Sequence, residues 1–509
     1  MKYHFSFTFQ LPSPREGKGV GLFLLLLTLV VCGCRPTPDD PQVSASLPKI
    51  VPDYTGVTIP DGVAPLNFGM EGVERMDVTV RGGKGGELHV NGEYADFDID
   101  EWHALTQRNK GDSLFVTVCA LSDGQWTQYR PFTIFVSDDP LGEWGVTYRL
   151  IPPGYESYGM MGIYQRDLSS FEQTPIIENE DIDGQCINCH TPNRTDPTQF
   201  TFHVRGTHGA TVVRQQGEQA DILKPKSEVL GGSMVYPFWH PSGDYIAYST
   251  NQTHQNFHQL RDRRVEVYDD KSDVIIYKPA TREILTDSIV MTKEWLENYP
   301  VFSPDGRTLY FCAAQRVDSI WKNYRQVKYN ICRIAFDPAT GQLGERVDTI
   351  VHARSLGKSA NMPRISYDGR FLLYTLCDYG CFPIWHPEAD LWMMNLESGE
   401  TFPLEHANSA DAESFHNWSL NSKWIVFTSR RDDGLYTRLY LAHIDKDGHA
   451  SKAFCLPQRN PQEYAAETVW AFNTPEFASA PIRLDRKALQ QNILGGLRSE
   501  TSGKPTGSD

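Results

Sequence analysis

The sequence has few long apolar runs and no excess of positive charge. The one long run, GLFLLLLTLVV at 21–31, has the length of a signal peptide and is too short to span a bilayer. Lys and Arg number 48 against 64 Asp and Glu, a net charge of −16, which argues against nucleic acid as a partner. No Ser-His-Asp motif with a recognisable local signature is present, so nothing indicates hydrolysis.

The N-terminus predicts export. Arg15 and Lys18 precede the apolar run, and the run ends at Val31-Cys32-Gly33-Cys34, which resembles the lipobox of bacterial lipoproteins. The resemblance implies that residues 1–34 are a lipoprotein signal peptide and that Cys34 is lipidated; an ordinary secretory signal is the alternative. Residues 35–54, rich in Pro, Ser, Thr and Asp, predict a tether. The membrane contact we expect is through this lipid anchor alone.

The most informative motif is Cys186-Ile187-Asn188-Cys189-His190. Two cysteines separated by two residues and followed at once by histidine have the spacing of c-type haem attachment. Cys186 and Cys189 would form thioethers to the haem, and His190 would ligate the iron. Export is consistent with this, because covalent haem c is assembled outside the cytoplasm. A zinc half-site and a disulfide are the alternatives.

The second half of the chain contains a repeat. Four segments align at a turn of Ser-Pro-Asp-Gly type, and each is followed by a second hairpin, which makes four strands per unit. Such units around a central channel form a β-propeller. The aligned segments are FWHPSGDYIAYSTN, VFSPDGRTLYFCAA, RISYDGRFLLYTLC and NWSLNSKWIVFTSR.

These segments resemble the TolB-like propeller repeat, over Val235 to about Phe454. Weaker copies at Trp144–Ile177 and Thr201–Leu223 raise the expected number of blades to six, with five or seven as alternatives. We expect an all-β chain with the propeller at 142–485. The haem motif is then predicted in a loop at 179–198 between two blades, where an attaching enzyme could reach it.

The remaining segments flank the propeller. Alternating strands at MDVTV, ELHVNG, SLFVTVCAL and PFTIFVS predict a β-sandwich at 55–141, with a spacing or docking role. Residues 486–509 predict a disordered tail.

The second axial position of the iron would decide between electron transfer and ligand binding. His203, in FHVRG, is the first candidate because it is close to His190 in sequence. Arg205 could share a strand face with His203 and bind a haem propionate. The weaker candidates are His208, Met234, Met160 and Met161.

The overall layout resembles exported bacteroidete-type lipoproteins that join a TolB-like propeller to a single Cys-x-x-Cys-His site, often described as cytochrome c-related. The matching stretches include CINCH, FHVRGTHGAT, YPFWHPSGDYIAYSTN and FPIWHPEADLWMM, within Val146 to Phe477. The resemblance implies a haem-binding protein of the periplasm or cell surface whose biochemical role is unsettled. The family pattern includes the histidine of FHVRG, which favours His203.

The sequence therefore predicts a lipid-anchored monohaem c-type protein of the cell envelope, held by the outer membrane and facing the periplasm or the surface. Its expected role is electron transfer to a redox partner protein. A haem-dependent, peroxidase-like oxidoreductase is the second hypothesis. The third is a propeller that binds envelope proteins, peptides or glycans, with a haem that is structural or absent.

Overall fold

The computed structural model describes residues 37–152, 159–216, 219–224, 230, 232–260 and 263–503. Within these ranges six sheets of four or five strands, antiparallel except for one short strand, form six blades, so the predicted propeller is confirmed. Blades 1 to 3 consist of Gly145–Ile151, Gly162–Asp167, Gln173–Glu178 and Ala471–Ala478; Cys186–Asn193, Asp196–Arg205, Ala210–Arg214 and Asp221–Leu223; and Ser233–Trp239, Ile246–Phe257, Val265–Lys278, Glu283–Leu285 and Ser502–Gly503. Blades 4 to 6 consist of Trp295–Phe302, Thr308–Gln315, Asn330–Asp337, Gln342–Leu343 and Asp348–Val351; Ser359–Ile365, Phe371–Cys377, Asp390–Asn395 and Thr401–Pro403; and Glu413–Trp418, Trp424–Ser429, Arg438–His443 and Phe454–Cys455.

One strand from each blade lies at the inner edge of its sheet, and these inner strands contact one another in a ring. In blades 2 to 6 the inner strand is the first of the blade. In blade 1 it is Ala471–Ala478, the last long strand of the chain, which pairs with Gly145–Ile151. The two ends of the propeller sequence therefore close the ring together, a connection that the repeat alone did not predict.

The repeated turns have the predicted chemistry. Gly243, Gly306 and Gly369 have φ values of +81°, +72° and +75°, a region that glycine enters without a steric penalty. In the turn of blade 4, Asp305 accepts hydrogen bonds from the Ser303 hydroxyl and from the backbone N–H two residues after Asp305. These turns join the inner strand to the second strand in blades 3, 4 and 5.

The segment before the propeller differs from the predicted sandwich. Its strands lie where MDVTV, ELHVNG, SLFVTVCAL and PFTIFVS indicate, but they belong to one branched, seven-stranded sheet packed with the helix Ile99–Arg108. The chain forms this helix between ELHVNG and SLFVTVCAL, where Asp98 caps it and Trp102 is buried. The strands of this sheet are Gln42–Val43, Thr58–Ile59, Arg75–Gly82, Glu87–Gly92, Asp112–Ser122, Gln125–Gln128 and Phe132–Val136.

The described part of the predicted tether, residues 37–54, contains strand pairing. Gln42–Val43 joins the seven-stranded sheet, and Ile50–Val51 pairs with Gly69–Met70. Ile50 and Tyr54 are buried apolar anchors that the Pro-rich composition concealed. Residues 1–36, with the apolar run, the lipobox-like motif and Cys34, lie outside the described residues.

The N-terminal domain packs directly on blade 6. The Tyr54 hydroxyl donates to the carbonyl of Cys455, and the Trp424 indole donates to the carbonyl of Asp139, at 3.3 and 3.2 Å. Lys452 forms an ion pair with Asp53 at 2.7 Å. Buried residues of both parts also belong to one apolar core. The domain is thus fixed against the propeller.

The predicted disorder at 486–509 is wrong for the described residues. Arg486–Leu494 is a helix capped by Asp485, and its Leu489 and Ile493 pack into the core between blades 1 and 2. Ser502–Gly503 adds a short parallel strand to blade 3. The polar composition hid the two apolar residues four positions apart on one helix face. Residues 504–509 lie outside the described ranges.

The other helices are short. They are the α-helices Ile320–Asn323 and Pro461–Glu467 and the 3-10 helices Asn179–Ile182, Tyr324–Gln326, Ala353–Leu356 and Pro383–Trp385. Among the described residues, no helix has both the length and the apolar character needed to cross a membrane.

Glu297, on the inner strand of blade 4, gives a pH test of the fold. It is 3% exposed; Thr292 donates to its Oε1 at 2.8 Å, and its Oε2 has no partner. Burial, with the charge of Asp273 adding to it, raises the pKa of Glu297 from 4.5 to about 7. Between pH 4.5 and about 7 the folded state therefore keeps a proton on Glu297 that the unfolded chain has lost. The contribution of Glu297 to stability falls as the pH rises through 7.

We expect Glu297→Gln to become more stable relative to the unmodified protein on going from pH 5 to pH 8, because the amide cannot ionise. Urea midpoints at both pH values measure this. Glu345→Gln, at an exposed position, is the control. An equal stability difference at the two pH values would contradict the expectation.

Candidate functional site

Each inner strand contains an irregularity at the same place. The ladder shifts register there in every blade. In five blades a residue at the shift has a left-handed backbone, with φ between +49° and +56°. A bulge of this kind re-aims a side chain out of the sheet. The residues at this position, blades 1 to 6, are Thr474, Cys189, Tyr236, Tyr299, Met362 and Phe415.

All six of these residues line one cavity, at the centre of the ring. Its open space, including its mouth, is about 940 Å³. The long hairpin of blade 3, strands Ile246–Phe257 and Val265–Lys278, contributes Thr253, Gln255 and Val267 to one side. The cavity is therefore built mainly from a single repeat position, with one side supplied by an extended hairpin.

The next residue in the repeat is proline in four blades and histidine in two. Proline suits a bulge because its missing N–H leaves no ladder bond unmade. His190 in blade 2 and His416 in blade 6 replace it, and both line the cavity. The four prolines are Pro237, Pro300, Pro363 and Pro475.

The haem motif thus lies in a strand, not in the predicted loop. Cys186–Asn193 is the inner strand of blade 2, and every residue in it is buried. Its Asn and Pro content is typical of a loop by composition, but the same residues recur in the bulged inner strands of the other blades. The motif is therefore part of the cavity wall instead of the surface.

The three motif residues differ in their relation to the cavity. Cys189 and His190 line it, whereas Cys186 is not among its lining residues. The Cys186 thiol accepts a hydrogen bond from Nη2 of Arg149 at 3.3 Å. Both cysteines are free thiols in this structure, with exposures of 8% and 9%.

His190 has one occupied and one free ring nitrogen. Its Nε2 is 3.0 Å from the hydroxyl of Thr147 on blade 1, and its buried Nδ1 has no partner. Burial, assisted by the charge of Arg149, lowers the pKa of His190 to about 3. The imidazole is therefore neutral at pH 7 and can donate an electron pair.

His203 does not line the cavity. It lies on the second strand of blade 2, opposite Asn188, and its Nδ1 is 3.0 Å from the Thr211 hydroxyl. Thr201, on the same strand face, contacts Tyr248 of blade 3. His203 is thus packed between blades 2 and 3. His203 is close to His190 in sequence and therefore lies on the neighbouring strand, but its side chain does not face the cavity.

The weaker candidates for the second ligand are also absent from the cavity wall, within the described residues: Met234 is core, Met161 lies behind Arg149, Met160 is exposed, and His208 is in a turn. Met362 and His416 are the methionine and histidine that do line the cavity besides His190. The sequence signal for Met362 was the Asn-x-Pro pattern of the inner strands, as in Asn298-Tyr299-Pro300 and Asn361-Met362-Pro363. His416 departs from that pattern, because blade 6 reads Ser414-Phe415-His416 there.

Three arginines line the cavity: Arg149, Arg205 and Arg364. Arg205, which the sequence predicts to bind a haem propionate, lies on the cavity wall. Arg364 is paired with Glu476 at 2.8 Å. Burial raises the pKa of Glu476 to about 7, opposed by Arg364. The residues that line the cavity therefore include more positively charged than negatively charged side chains.

These residues fit haem c in part. A neutral imidazole, a thiol, guanidinium groups and an aromatic wall share one cavity, and each is a group that contacts haem in c-type proteins. Cys186 is the exception, since it does not line the cavity and its thiol bonds Arg149. For the zinc alternative, two further ligands are needed, and the described ranges contain no cluster of three or more His, Cys, Asp or Glu able to hold a metal.

No protein-family model and no curated protein matches the chain. Solved structures are similar to it at low identity. TolB from Acinetobacter baumannii covers 75% of this chain and 86% of its own, at 12% identity and a TM-score of 0.42. The Nidogen/Laminin complex covers 66% and 100%, at 10% identity and 0.39. A putative 6-phosphogluconolactonase from Bacteroides fragilis covers 62% and 97%, at 12% identity and 0.33. These likenesses concern the fold alone.

Proposed function

We propose that the protein is an exported haem c protein whose propeller holds the haem in its central cavity. One observation carries the proposal. Cys189 and His190 occupy the two repeat positions that line the cavity, where the other blades have Tyr-Pro, Met-Pro, Thr-Pro or Phe-His. The motif with the spacing of haem attachment therefore lies where the side chains of blade 2 differ most from those of the other blades.

The residues that would hold the haem are Cys186 and Cys189 through thioethers and His190 through its imidazole. The bound group would supply one-electron chemistry or ligand binding at iron. Thr147 orients the ring of His190, which is buried. Attachment at Cys186 requires Arg149 to release that thiol.

Electron transfer is the role we propose, because Met362 and His416 line the same cavity and either side chain would supply a second ligand to the iron. In a six-bladed ring blade 5 lies opposite blade 2, so Met362 is across the channel from His190. His416 belongs to blade 6, next to blade 5, and lines the same cavity. An occupied sixth position blocks substrates at the iron and favours electron transfer to a partner protein over peroxidase-like chemistry. We also retain the proposed lipid anchor at Cys34 and the cell envelope as the location.

A binding propeller without haem is the second candidate, and a specific observation favours it. The Cys186 thiol and the His190 Nε2 already have protein partners, Arg149 and Thr147. Most polar groups of the motif are thus satisfied by the chain itself. In this case the cavity would bind another ligand, from an envelope protein, a peptide or a glycan.

Attachment is tested by mass. We expect the mature protein, expressed with a haem c maturation system, to carry one haem, and Cys186→Ser/Cys189→Ser to carry none. Cys119→Ser, a buried thiol of the N-terminal domain, is the matched control and keeps the haem. A polypeptide without added haem, while a control cytochrome acquires one, would refute the proposal and leave the binding propeller.

The second axial ligand is tested by visible spectra of the loaded protein. We expect Met362→Leu or His416→Gln to convert a six-coordinate spectrum into one that responds to carbon monoxide, since the iron would lose a ligand. His203→Gln should leave the spectrum unchanged, because this side chain bonds Thr211 between blades. A change in His203→Gln alone would restore the original candidate, and rapid ligand binding by the unmodified protein would favour an enzyme.

A further inference from the structure

We propose that exposed residues at one end of blade 4 form the docking surface for an acidic partner protein. The inference rests on the proposed function only in taking that protein as the redox partner, and the surface itself does not require haem. The residues, called the blade 4 patch, are Lys293, Trp295, Arg316, Trp321, Lys322 and Arg325.

The patch contains unusual tryptophans. All eleven tryptophans of the chain lie within the described ranges, and the two most exposed are Trp295 and Trp321, at 38% and 60%. Trp295 begins the inner strand of blade 4, and Trp321 lies on the short helix Ile320–Asn323. Tryptophan combines a large apolar surface with one N–H donor, and it is enriched among the residues that dominate protein–protein binding.

The segment that carries Trp321 is fixed to the blade. Ile320 and Val327, on either side of it in sequence, are 9% and 3% exposed and belong to the apolar core that blades 3, 4 and 5 share. The backbone N–H of Arg316 donates to the carbonyl of Glu294 at 2.9 Å, which ties the segment to the residue before Trp295. A surface that is already ordered loses little conformational entropy when a partner binds.

The patch is positive on a chain whose net charge is −16. It has four cations, and the exposed carboxylates next to them in sequence are Glu294 and Asp318. None of the four cations forms an ion pair with a carboxylate of the described residues. Complementary charge directs the encounter of two proteins, so the patch favours a partner with an acidic face.

Two of the cations lie over aromatic rings. Nζ of Lys322 is 4.5 Å from the ring centroid of Trp321, and the guanidinium carbon of Arg325 is 5.7 Å from that of Tyr324. A ring orients a cation without neutralising it. Positive charge and exposed aromatic surface are therefore joined in one patch.

Buried carboxylates nearby are already engaged. Arg316 interacts electrostatically with Asp273, and Arg325 with Glu266. Each of these carboxylates has a closer partner elsewhere, at 3.3 and 3.2 Å. The exposed ends of the two arginines thus remain available to a partner.

The position of the patch suits electron transfer. Trp295 is four residues before Tyr299 on one inner strand, and Tyr299 lines the central cavity. At about 3.3 Å per residue the separation along the strand is roughly 13 Å. A partner bound to the patch would therefore lie close to a haem in the cavity.

A protein partner is favoured over a bilayer. The helix Ile320–Asn323 has four residues, too few to form the amphipathic helix that lies in a membrane interface. The net charge of −16 also opposes the approach of the whole chain to anionic lipid. The ligand class is thus a protein surface with carboxylates around an aromatic or apolar centre.

The experiment uses the full mature chain and measures binding of two labelled polymers by fluorescence polarisation. We expect a glutamate-rich copolymer of glutamate and tyrosine to bind at least about fivefold more tightly than polyglutamate, and Trp321→Ala to remove this difference. Lys322→Gln should weaken both polymers about threefold at low salt, an effect that high salt removes. Phe115→Ala and Lys49→Gln, at exposed positions of the N-terminal domain, are the matched controls.

The outcomes separate the alternatives. Equal binding of the two polymers by the unmodified protein, or equal losses in patch and control variants, would overturn the inference. Phosphatidylglycerol vesicles that bind more tightly than the copolymer, and through Trp321, would replace the protein partner by a membrane. If the chain acquires no haem but the patch still binds the copolymer, the surface stands and the haem proposal falls. Thermal melts of each variant identify misfolding.

Discussion

The structure depends on the strand pairing that closes the propeller ring. Ala471–Ala478 pairs with Gly145–Ile151 and completes blade 1 with residues from both ends of the propeller sequence. Without that pairing the inner strands would not form a ring, and the cavity would have no wall on the side of blade 1. The closing strand also carries Glu476, which binds Arg364 of blade 5 and Asn417 of blade 6. The interaction that seals the fold therefore also organises part of the site.

Backbone strain is part of this fold and is not specific to the motif. A left-handed residue other than glycine costs about 1 kcal/mol or more, and such strain is often found at functional sites. Cys189 has φ of +52°, but four other inner strands contain an equivalent residue with the same conformation. The strain at Cys189 is therefore a property of the repeat. What distinguishes blade 2 is side-chain chemistry, with a thiol and an imidazole where the other blades have Thr-Pro, Tyr-Pro, Met-Pro or Phe-His.

The sequence predicted the repeat well and the site poorly, for one physical reason. Turns such as Ser303–Gly306 are local: Asp and Gly determine them within a few residues, so four blades and their spacing were visible. The cavity is non-local, because its wall collects one position from each of six strands. The motif was recognised from its spacing, but its placement was wrong because composition around 179–198 indicates a loop. Met362 and His416 were missed because neither is near the motif in sequence, and His203 was favoured because it is near.

The burial of the motif constrains how a haem could reach it. In the closed ring Cys186 and Cys189 are 8% and 9% exposed, and their strand is enclosed by blades 1 and 3. Thioether formation requires both sulfur atoms to meet the haem with an enzyme present, which a surface loop would permit and this strand does not. The ring closes only when Ala471–Ala478 pairs with blade 1, and most of the propeller sequence lies between the motif and this strand. Attachment to this protein would therefore precede ring closure, with the haem becoming part of the core around which the blades assemble.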